Sequence, residues 1–424
     1  MRVLIVNFSS KKGGASQSAH RLFKALLRNN IESKMLIKKY DADSLDSNYY
    51  IQQKNWLINI CNDLLSFIEN LFLKIIGKSN NNFSYSFFGS FGITKMINDY
   101  NPDIVNLHWV AGNMMSVNDI RKIKAPIVWT IHDHWPFSNG YHVPSSHFID
   151  GMSDPNDFKK TFWFRYKKWI LNSKNDLTVV SPSKWIGNIA KSSEIFKSND
   201  HYHIPNLPKI DCLNFNYLAD KTISKCVLKE KNIVNLPIDK QVISFGAMNP
   251  ISDKNKGFDL LHKAWMRINS KNSCLHIFGI NNVDEDMYCK NIISGAFTSF
   301  VRSSISAEIY GASDLIVVPS YQENLSNCIY EALSCGRPVV AFDIGGNGEL
   351  IDHKINGYLA RPYDEEDLAN GIAWVLNHAN PKELEENAKN KVLKKFSHES
   401  LLENYLGLFT SICKNSNNAN KQTI

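Results

Sequence analysis

The stretch DLIVVPSYQENLSNCIYEALSCGRPVVAFDIGGNGE, Asp314 to Glu349, decides the reading of this chain. Leu315 to Pro319 is a short, uninterrupted apolar run of strand length. A polar loop carrying Glu323 follows, and a helix starting near Ser326 carries Glu331 before Gly336 and Pro338 end it. Val339 to Phe342 supplies the next strand. Strand, loop, helix and strand in this order form the repeating unit of a parallel sheet. Seven residues separate Glu323 from Glu331. One carboxylate therefore stands just ahead of a helix N-terminus and the other about one and a half turns inside it. The unpaired N–H groups and partial positive charge of that helix end lie between them, which suits a diphosphate.

The same grammar runs outward in both directions. Val242 to Gly246 reads as a strand, Gly257 to Ile268 as a helix and Cys274 to Phe278 as a strand. At the other end, Val3 to Phe8 is an apolar strand, SSKKGGASQS a glycine turn and Ala19 to Leu27 a helix, with further strands at Ile104 to His108, Ile127 to His132 and Leu177 to Ser181. The fold class is α/β: two Rossmann-like doubly wound domains with parallel sheets, facing across a cleft, with ligands at the carboxyl ends of the strands. A chain of 424 residues is long enough for two such cores. The expected division is 1–207 for the first domain and 208–395 for the second. His203 to Leu236, rich in Pro, Asn and Lys, reads as the linker, and a helix over about 396–414 returns to the first domain.

Composition narrows the class. Hydrophobic residues make up 43% and charged residues 21% of the chain, with a mean hydropathy of -0.27, as in globular proteins rather than membrane or disordered ones. Eight cysteines show neither a CxxC pair nor a zinc-like spacing, so they read as reduced and mostly buried. The N-terminus lacks the pattern of a secretory signal, and a cytoplasmic location is expected. The formal charge of +7 is spread along the chain, densest in KKTFWFRYKKW, Lys159 to Trp169. An amphipathic helix with a basic, solvated face is favoured there over a patch for anionic membrane or nucleic acid, and a nucleic-acid protein is not expected. Trp56 to Ile76 carries Leu57, Ile60, Leu64, Leu65, Ile68, Leu71 and Phe72 at helical spacing, opposite Asn59, Asn62, Asp63, Glu69, Asn70 and Lys74. A helix packing its apolar face on its own domain is favoured over one that meets lipid.

With PS ahead of Glu323, and with EALSCGRPVV and IGGNGE behind it, the sequence resembles the family-4 retaining glycosyltransferases of GT-B fold, whose E-x7-E motif sits in this setting. The resemblance is strong over Gly246 to Pro362 and moderate over the first 140 residues or so. It implies that Glu323 binds hydroxyls of the transferred sugar, that Glu331 takes the ribose hydroxyls of a nucleotide, and that the backbone of Asn324 and Leu325 meets the phosphates or the sugar. The family's diphosphate-binding Gly-Arg and Lys-Gly pairs correspond here to Gly246-Ala247 and Lys256-Gly257. Lys256 keeps the cation; Ala247 leaves the other role unfilled or passes it to Lys254. Gly13 and Gly14 match the family's phosphate-approaching glycine turn. His132, in WTIHDHWPF, matches its active-site histidine, with Asp133 beside it. His108, Trp109 and His142 are candidates for shaping the acceptor pocket or are simply satisfied polar residues.

The implied reaction is transfer of a sugar from a nucleotide-diphosphate sugar to a glycan or lipid-linked glycan, with retention, by a hexosyltransferase-type enzyme of bacterial surface polysaccharide biosynthesis. No cofactor or metal is expected, since no Asp-x-Asp stands where a metal-bound diphosphate needs it, and a zinc reading of His132 and His134 lacks further ligands. Peripheral contact with the anionic inner face of the plasma membrane is an expectation from the basic balance and the Trp56 to Ile76 helix. Three rivals stay open: a nucleotide-sugar epimerase, a catalytically silent nucleotide-sugar-binding subunit, and a phosphate-loop ATPase, the last weakened by Gln17 standing where the loop lysine would be.

Overall fold

The structure is a computed structural model that describes residues 1–39, 49–51, 56–75, 83–142, 162–214, 221–268, 270–280, 296–299 and 306–422. The chain divides into two compact units, Met1–Asn206 together with Leu401–Ile424, and Leu207–Ser400.

In the first unit the described strands are β1 (Arg2–Ser9), β2 (Glu32–Lys39), β3 (Tyr49–Ile51), β4 (Ile104–Leu107), β5 (Ile127–Thr130), β6 (Leu177–Ser181) and β7 (Asp200–His203). They form one parallel sheet in the order β3-β2-β1-β4-β5-β6-β7, whose reversal of direction at β1 is the mark of a doubly wound fold. β4, β5 and β6 are buried at every position, as helices on both faces of a parallel sheet require. Leu4, Val6, Val105, Leu107, Ile127 and Trp129 lie in its core. The strands expected to reach His108 and His132 stop at Leu107 and Thr130, although the His108 N–H still donates to the Val6 carbonyl at 3.0 Å.

The second unit repeats the plan with β8 (Gln241–Gly246), β9 (Ser273–Ile280), β10 (Ala296–Ser299), β11 (Leu315–Val318), β12 (Val339–Phe342) and β13 (Gly357–Ala360), ordered β10-β9-β8-β11-β12-β13 and parallel throughout. Ile243, Leu275, Ile277, Val317, Val340 and Leu368 lie in its core. Each unit thus holds one parallel α/β sheet, the fold class read from the sequence.

Three expectations need correcting. The segment His203 to Leu236 is not a bare linker. It contains helices Ile210–Leu213 and Lys221–Glu230, and Cys212 and Leu228 are fully buried in the second unit. Lys221 holds that unit by ion pairs to Asp314 and Glu385, both at 2.9 Å.

The stretch Lys159 to Trp169 also departs from a simple basic face. Residues 159–161 lie outside the described part, and helix Phe162–Asn172 buries Lys167 completely. Lys167 donates to the Trp135 and Ser138 carbonyls and stands 4.1 Å from the centre of the Trp135 ring, while Phe162 (85% exposed) and Trp169 (64%) face solvent. The loop after β5 lies outside the strand ladder, and a long cationic side chain donates to its carbonyls.

Helix Trp56–Ile75 is inverted relative to expectation; Ile76 lies outside the described part. Ile60, Leu64, Phe67, Ile68 and Leu71 are 45–64% exposed, whereas Asn62 and Glu69 are buried. The reason is backbone demand. Glu69 accepts from the N–H groups of Ser86 (2.7 Å) and Phe87 (3.0 Å), and Asn62 accepts from Phe91 N–H (2.8 Å), in a segment with no ladder of its own. Two or three backbone hydrogen bonds outweigh the apolar stripe in setting which face docks.

The last helix, His398–Gln422, buries Leu401, Tyr405, Leu408 and Phe409 in the first unit, with the Tyr405 side chain meeting Thr130 at the end of β5.

Candidate functional site

In the second unit, β11 delivers Pro319 and Ser320 at its carboxyl end, and the loop bearing Glu323 leads into helix Asn327–Ser334. Ser326 occupies the cap position but makes no side-chain cap, and the first turn holds no acid. The positive end of this helix is therefore not compensated from within the helix. Glu331 lies on the fifth helical residue, buried, and accepts a hydrogen bond from the Tyr310 hydroxyl at 3.2 Å. Burial, with Cys328 and Glu331 nearby, pushes the Tyr310 hydroxyl pKa well above its ordinary value, so it stays a donor.

Lys256 reaches this loop from the turn after β8. Its Nζ stands 3.1 Å from Glu323 Oε1, which also accepts from Ser320 Oγ at 2.9 Å. The Glu323 carboxylate raises the Lys256 pKa above its usual value against the effect of burial, so the ammonium stays charged. The two loops are stitched together by Tyr321 N–H donating to the Asn255 carbonyl (2.9 Å) and Asn255 Nδ2 donating to the Gln322 carbonyl (3.1 Å). Glycines set the closeness. A side chain at Gly257 (φ 70°) would put its Cβ 1.9 Å from the Pro319 carbonyl oxygen, and one at Gly345 (φ 54°) would put it 1.8 Å from the Glu323 carbonyl oxygen. The Lys-Gly and Gly-Gly signatures of the sequence thus clamp the Glu323 loop from both sides.

Lys254 is exposed in the short turn Lys254–Lys256 that Asp253 caps. Asn324 is half-buried and Leu325 buried. Ala247 is half-buried, and its carbonyl oxygen would lie 2.0 Å from a Cβ on Gly279. Cys328 donates to the Gly246 carbonyl at 3.3 Å, with burial pushing its thiol up to about 12.

In the first unit, Gly13 takes φ 95° at the end of the turn after β1 and leads into helix Gly14–Arg28, leaving open space where a Cβ would stand. His132 and Asp133 follow β5. His132 Nε2 lies 2.9 Å from His108 Nδ1, and His108 Nε2 lies 2.9 Å from Asn106 Oδ1. Burial lowers the His132 pKa to about 4 and that of His108 well below its usual value, the His108 shift being reinforced by His132 itself. Asp133 is engaged on every side: Trp109 Nε1 and His142 Nδ1 meet its Oδ2, each at 2.7 Å, and Trp135 N–H meets its Oδ1 at 2.9 Å. Burial pushes the Asp133 carboxyl up, and these partners more than offset it, leaving its pKa below the carboxylate range. His142 in turn meets Ser84 Oγ at 2.9 Å. His108, Trp109 and His142 are thus joined to His132 and Asp133 in one polar cluster.

Sequence reading overlooked Asn7 and Asn106, both fully buried. Asn7 accepts from Trp109 N–H (3.0 Å) and donates to Ser9 O (2.7 Å) and Ser16 Oγ (2.8 Å), tying β1, the glycine-turn helix and the segment after β4 together. An asparagine inside an otherwise apolar strand was the available signal, since a buried amide persists only when it is satisfied.

Two family models match this chain: "Glycosyltransferase Family 4" over residues 12–206 and "Glycosyl transferases group 1" over residues 239–378. Among curated relatives, an uncharacterized glycosyltransferase of Haemophilus influenzae is 24% identical over 208 residues, covering 45% of this chain and 58% of its own length. A poly(ribitol-phosphate) alpha-N-acetylglucosaminyltransferase of Staphylococcus aureus is 27% identical over 241 residues, covering 51% of this chain and 47% of its own. The chain thus spans about half the length of these relatives. Anabaena HepE, solved in complex with UDP and glucose, superposes with a TM-score of 0.66 at 17% identity, covering 97% of this chain and all of that one. Both matched models describe glycosyltransferase domains, and the fold is that of GT-B structures such as HepE. The chain is thus similar to glycosyltransferase family 4 over residues 12–206 and to glycosyl transferases group 1 over residues 239–378.

Proposed function

We propose that this enzyme transfers a sugar from a nucleotide-diphosphate sugar to a glycan or lipid-linked glycan with retention at the anomeric carbon, without a divalent metal, in assembling a bacterial surface polysaccharide. The observation that carries the reading is the Lys256–Glu323 pair, 3.1 Å apart, at the uncapped N-terminus of helix Asn327–Ser334. The second unit holds the donor: Glu331 takes the ribose hydroxyls, Glu323 the sugar hydroxyls, and Lys256, the Asn324 and Leu325 backbone and the helix N-terminus the diphosphate. From the first unit, the Gly13-Gly14 turn supplies backbone N–H groups to phosphate, and His132 contacts the sugar. Asp133, a donor-binding candidate beside His132, is held by Trp109, Trp135 and His142.

The acceptor oxygen bonds to the anomeric carbon on the face from which the diphosphate leaves. The bond to the diphosphate oxygen breaks, and the acceptor proton passes to a leaving phosphate oxygen. The charge that develops there meets Lys256 and the helix end, fixed before the reaction and therefore effective without reorganisation. The UDP held by HepE and the S. aureus relative's transfer of N-acetylglucosamine support a nucleotide-sugar donor.

Location on the anionic inner face of the plasma membrane belongs to the same reading. It is supported by the exposed apolar row of helix Trp56–Ile75, the exposed Phe88 and Phe91 beside it, and Arg165 and Lys168 next to exposed Phe162 and Trp169. Among the described residues no helix is long and apolar enough to cross a membrane, so contact would be peripheral.

A panel of UDP-, GDP-, ADP-, dTDP- and CMP-sugars, screened by thermal shift and calorimetry, tests the donor, and the anomeric configuration of the product read by proton NMR tests retention. One nucleotide class is expected to stabilise the wild type and not Glu331→Ala. Binding by neither protein would move the silent-subunit reading, which Ala247 favours, to the front.

A further inference from the structure

We infer that Asn106 and His108 form a relay that fixes which ring nitrogen of His132 carries its hydrogen. The argument starts at an atom whose role is not negotiable. Asn106 Nδ2 lies 2.9 Å from the Val128 carbonyl oxygen and 3.0 Å from Thr130 Oγ1, on the neighbouring strand β5. A carbonyl oxygen only accepts, so the amide nitrogen of Asn106 must face it and the amide oxygen must face the other way. That oxygen meets His108 Nε2 at 2.9 Å. It too only accepts, so His108 carries hydrogen on Nε2.

His108 is 3% exposed, and burial keeps it neutral at ordinary pH. A neutral ring with hydrogen on Nε2 has a lone pair on Nδ1, and that nitrogen meets His132 Nε2 at 2.9 Å. His132 must therefore donate from Nε2 and keep its own lone pair on Nδ1. The ring geometry agrees: the planes are 21° apart with centroids at 5.1 Å, which fits two rings meeting edge to edge through their nitrogens. Trp129 Nε1, donating to the His108 carbonyl at 3.2 Å, steadies the backbone of the middle member.

This rests on the reading of His132 as a contact to the donor sugar and deepens it. A neutral His132 with Nδ1 unprotonated can accept but not donate at that nitrogen. Asn106 and His108 are positioning residues: they act on the sugar only through His132.

Nitrogen-15 histidine labelling of the full chain, with two-bond proton–nitrogen spectra at neutral pH, reads each ring's tautomer; His108→Gln and His132→Gln assign the signals. The wild type should show His108 and His132 both neutral with hydrogen on Nε2. Asn106→Leu should move His132 toward a mixed-tautomer spectrum and lower turnover about tenfold to a hundredfold, with nucleoside-diphosphate affinity unchanged. His108→Asn, whose amide oxygen takes the place of Nδ1, should keep the His132 tautomer, whereas His108→Leu should lose it. A wild-type His132 that is protonated, or that carries its hydrogen on Nδ1, overturns the relay, as does, should no variant fold, a wild-type spectrum with fewer than two neutral rings carrying hydrogen on Nε2. The relay stands, and the donor-contact reading falls, if the tautomers are as expected while the wild type turns over no nucleotide sugar.

Discussion

Lys256 Nζ and Glu323 Oε1 stand 3.1 Å apart although 67 positions separate them in sequence. The pair is built by backbone, with Gly257 pressed against Pro319 on one side and Gly345 against Glu323 on the other. Lys256→Gln should therefore leave the loop in place and remove the charge. Turnover is expected to fall about a hundredfold or more, as for loss of one pre-positioned group at a developing negative charge, with about 1 kcal/mol or less of stability lost from a pair that is partly solvated. Steady-state kinetics beside thermal melting check it. A change in stability without a change in turnover would remove Lys256 from the chemistry.

Glycine replacements separate strain from collision. Gly13→Ala meets no neighbour and is strained only by its φ of 95°, so about 1 kcal/mol is expected. Gly257→Ala and Gly345→Ala add a Cβ within 2 Å of a carbonyl oxygen and should cost about 2–3 kcal/mol or more and displace Glu323. Denaturant titration gives the order. If Gly13→Ala abolishes turnover while costing little stability, the open space at Gly13 is where a ligand approaches.

Acid should destabilise both units before their carboxylates titrate. His132 and His134 in the first unit are held near 4 and His276 in the second near 3, in each case chiefly by burial. The unfolded chain takes up these protons near the ordinary value of about 6.5, the native one only near 3 to 4, so the unfolded state binds more protons across that window. Unfolding free energy must then fall as pH drops from about 6.5 to 4, on the order of 1–3 kcal/mol for each histidine. Chemical denaturation at several pH values measures the slope, and His276→Gln should flatten it by about one proton. A flat profile from pH 6.5 to 4 would contradict the buried neutral histidines.

Helix Trp56–Ile75 reverses the usual cost of substitution. Glu69→Leu leaves the Ser86 and Phe87 N–H groups without their acceptor and should cost about 2–4 kcal/mol, whereas Leu64→Ser, at an exposed position, should stay within about 0.5 kcal/mol. Thermal melting of the two variants distinguishes this docking from the opposite one.

The same exposed row gives a test of the membrane reading. Wild-type protein should pellet with anionic vesicles at low salt, and Phe67→Ser with Leu71→Ser should reduce pelleting severalfold while leaving turnover of a soluble acceptor intact. No pelleting by the wild type would remove the membrane contact.

The fold class and much of the candidate site in the second unit were legible in the sequence because they rest on local, short-range rules. Apolar runs of strand length fix β8, β11 and β12, glycines mark turns that need positive φ, and a carboxylate spacing read against one helix places Glu323 before its N-terminus and Glu331 inside it. What the tertiary structure alone decided are the matters of partnership. Asn7 and Asn106 stand in apolar strands, and their partners come from the glycine-turn helix, the segment after β4 and strand β5. Lys167 was one cation among several until the Trp135 and Ser138 carbonyls needed it. The apolar stripe of helix Trp56–Ile75 pointed inward by periodicity, yet the N–H groups of Ser86, Phe87 and Phe91, which donate to Glu69 and Asn62, turned the helix over. Hydrophobic period is a property of one segment; the hydrogen bonds a buried backbone requires are set by segments far away in sequence, and where they are directional and short of partners they prevail.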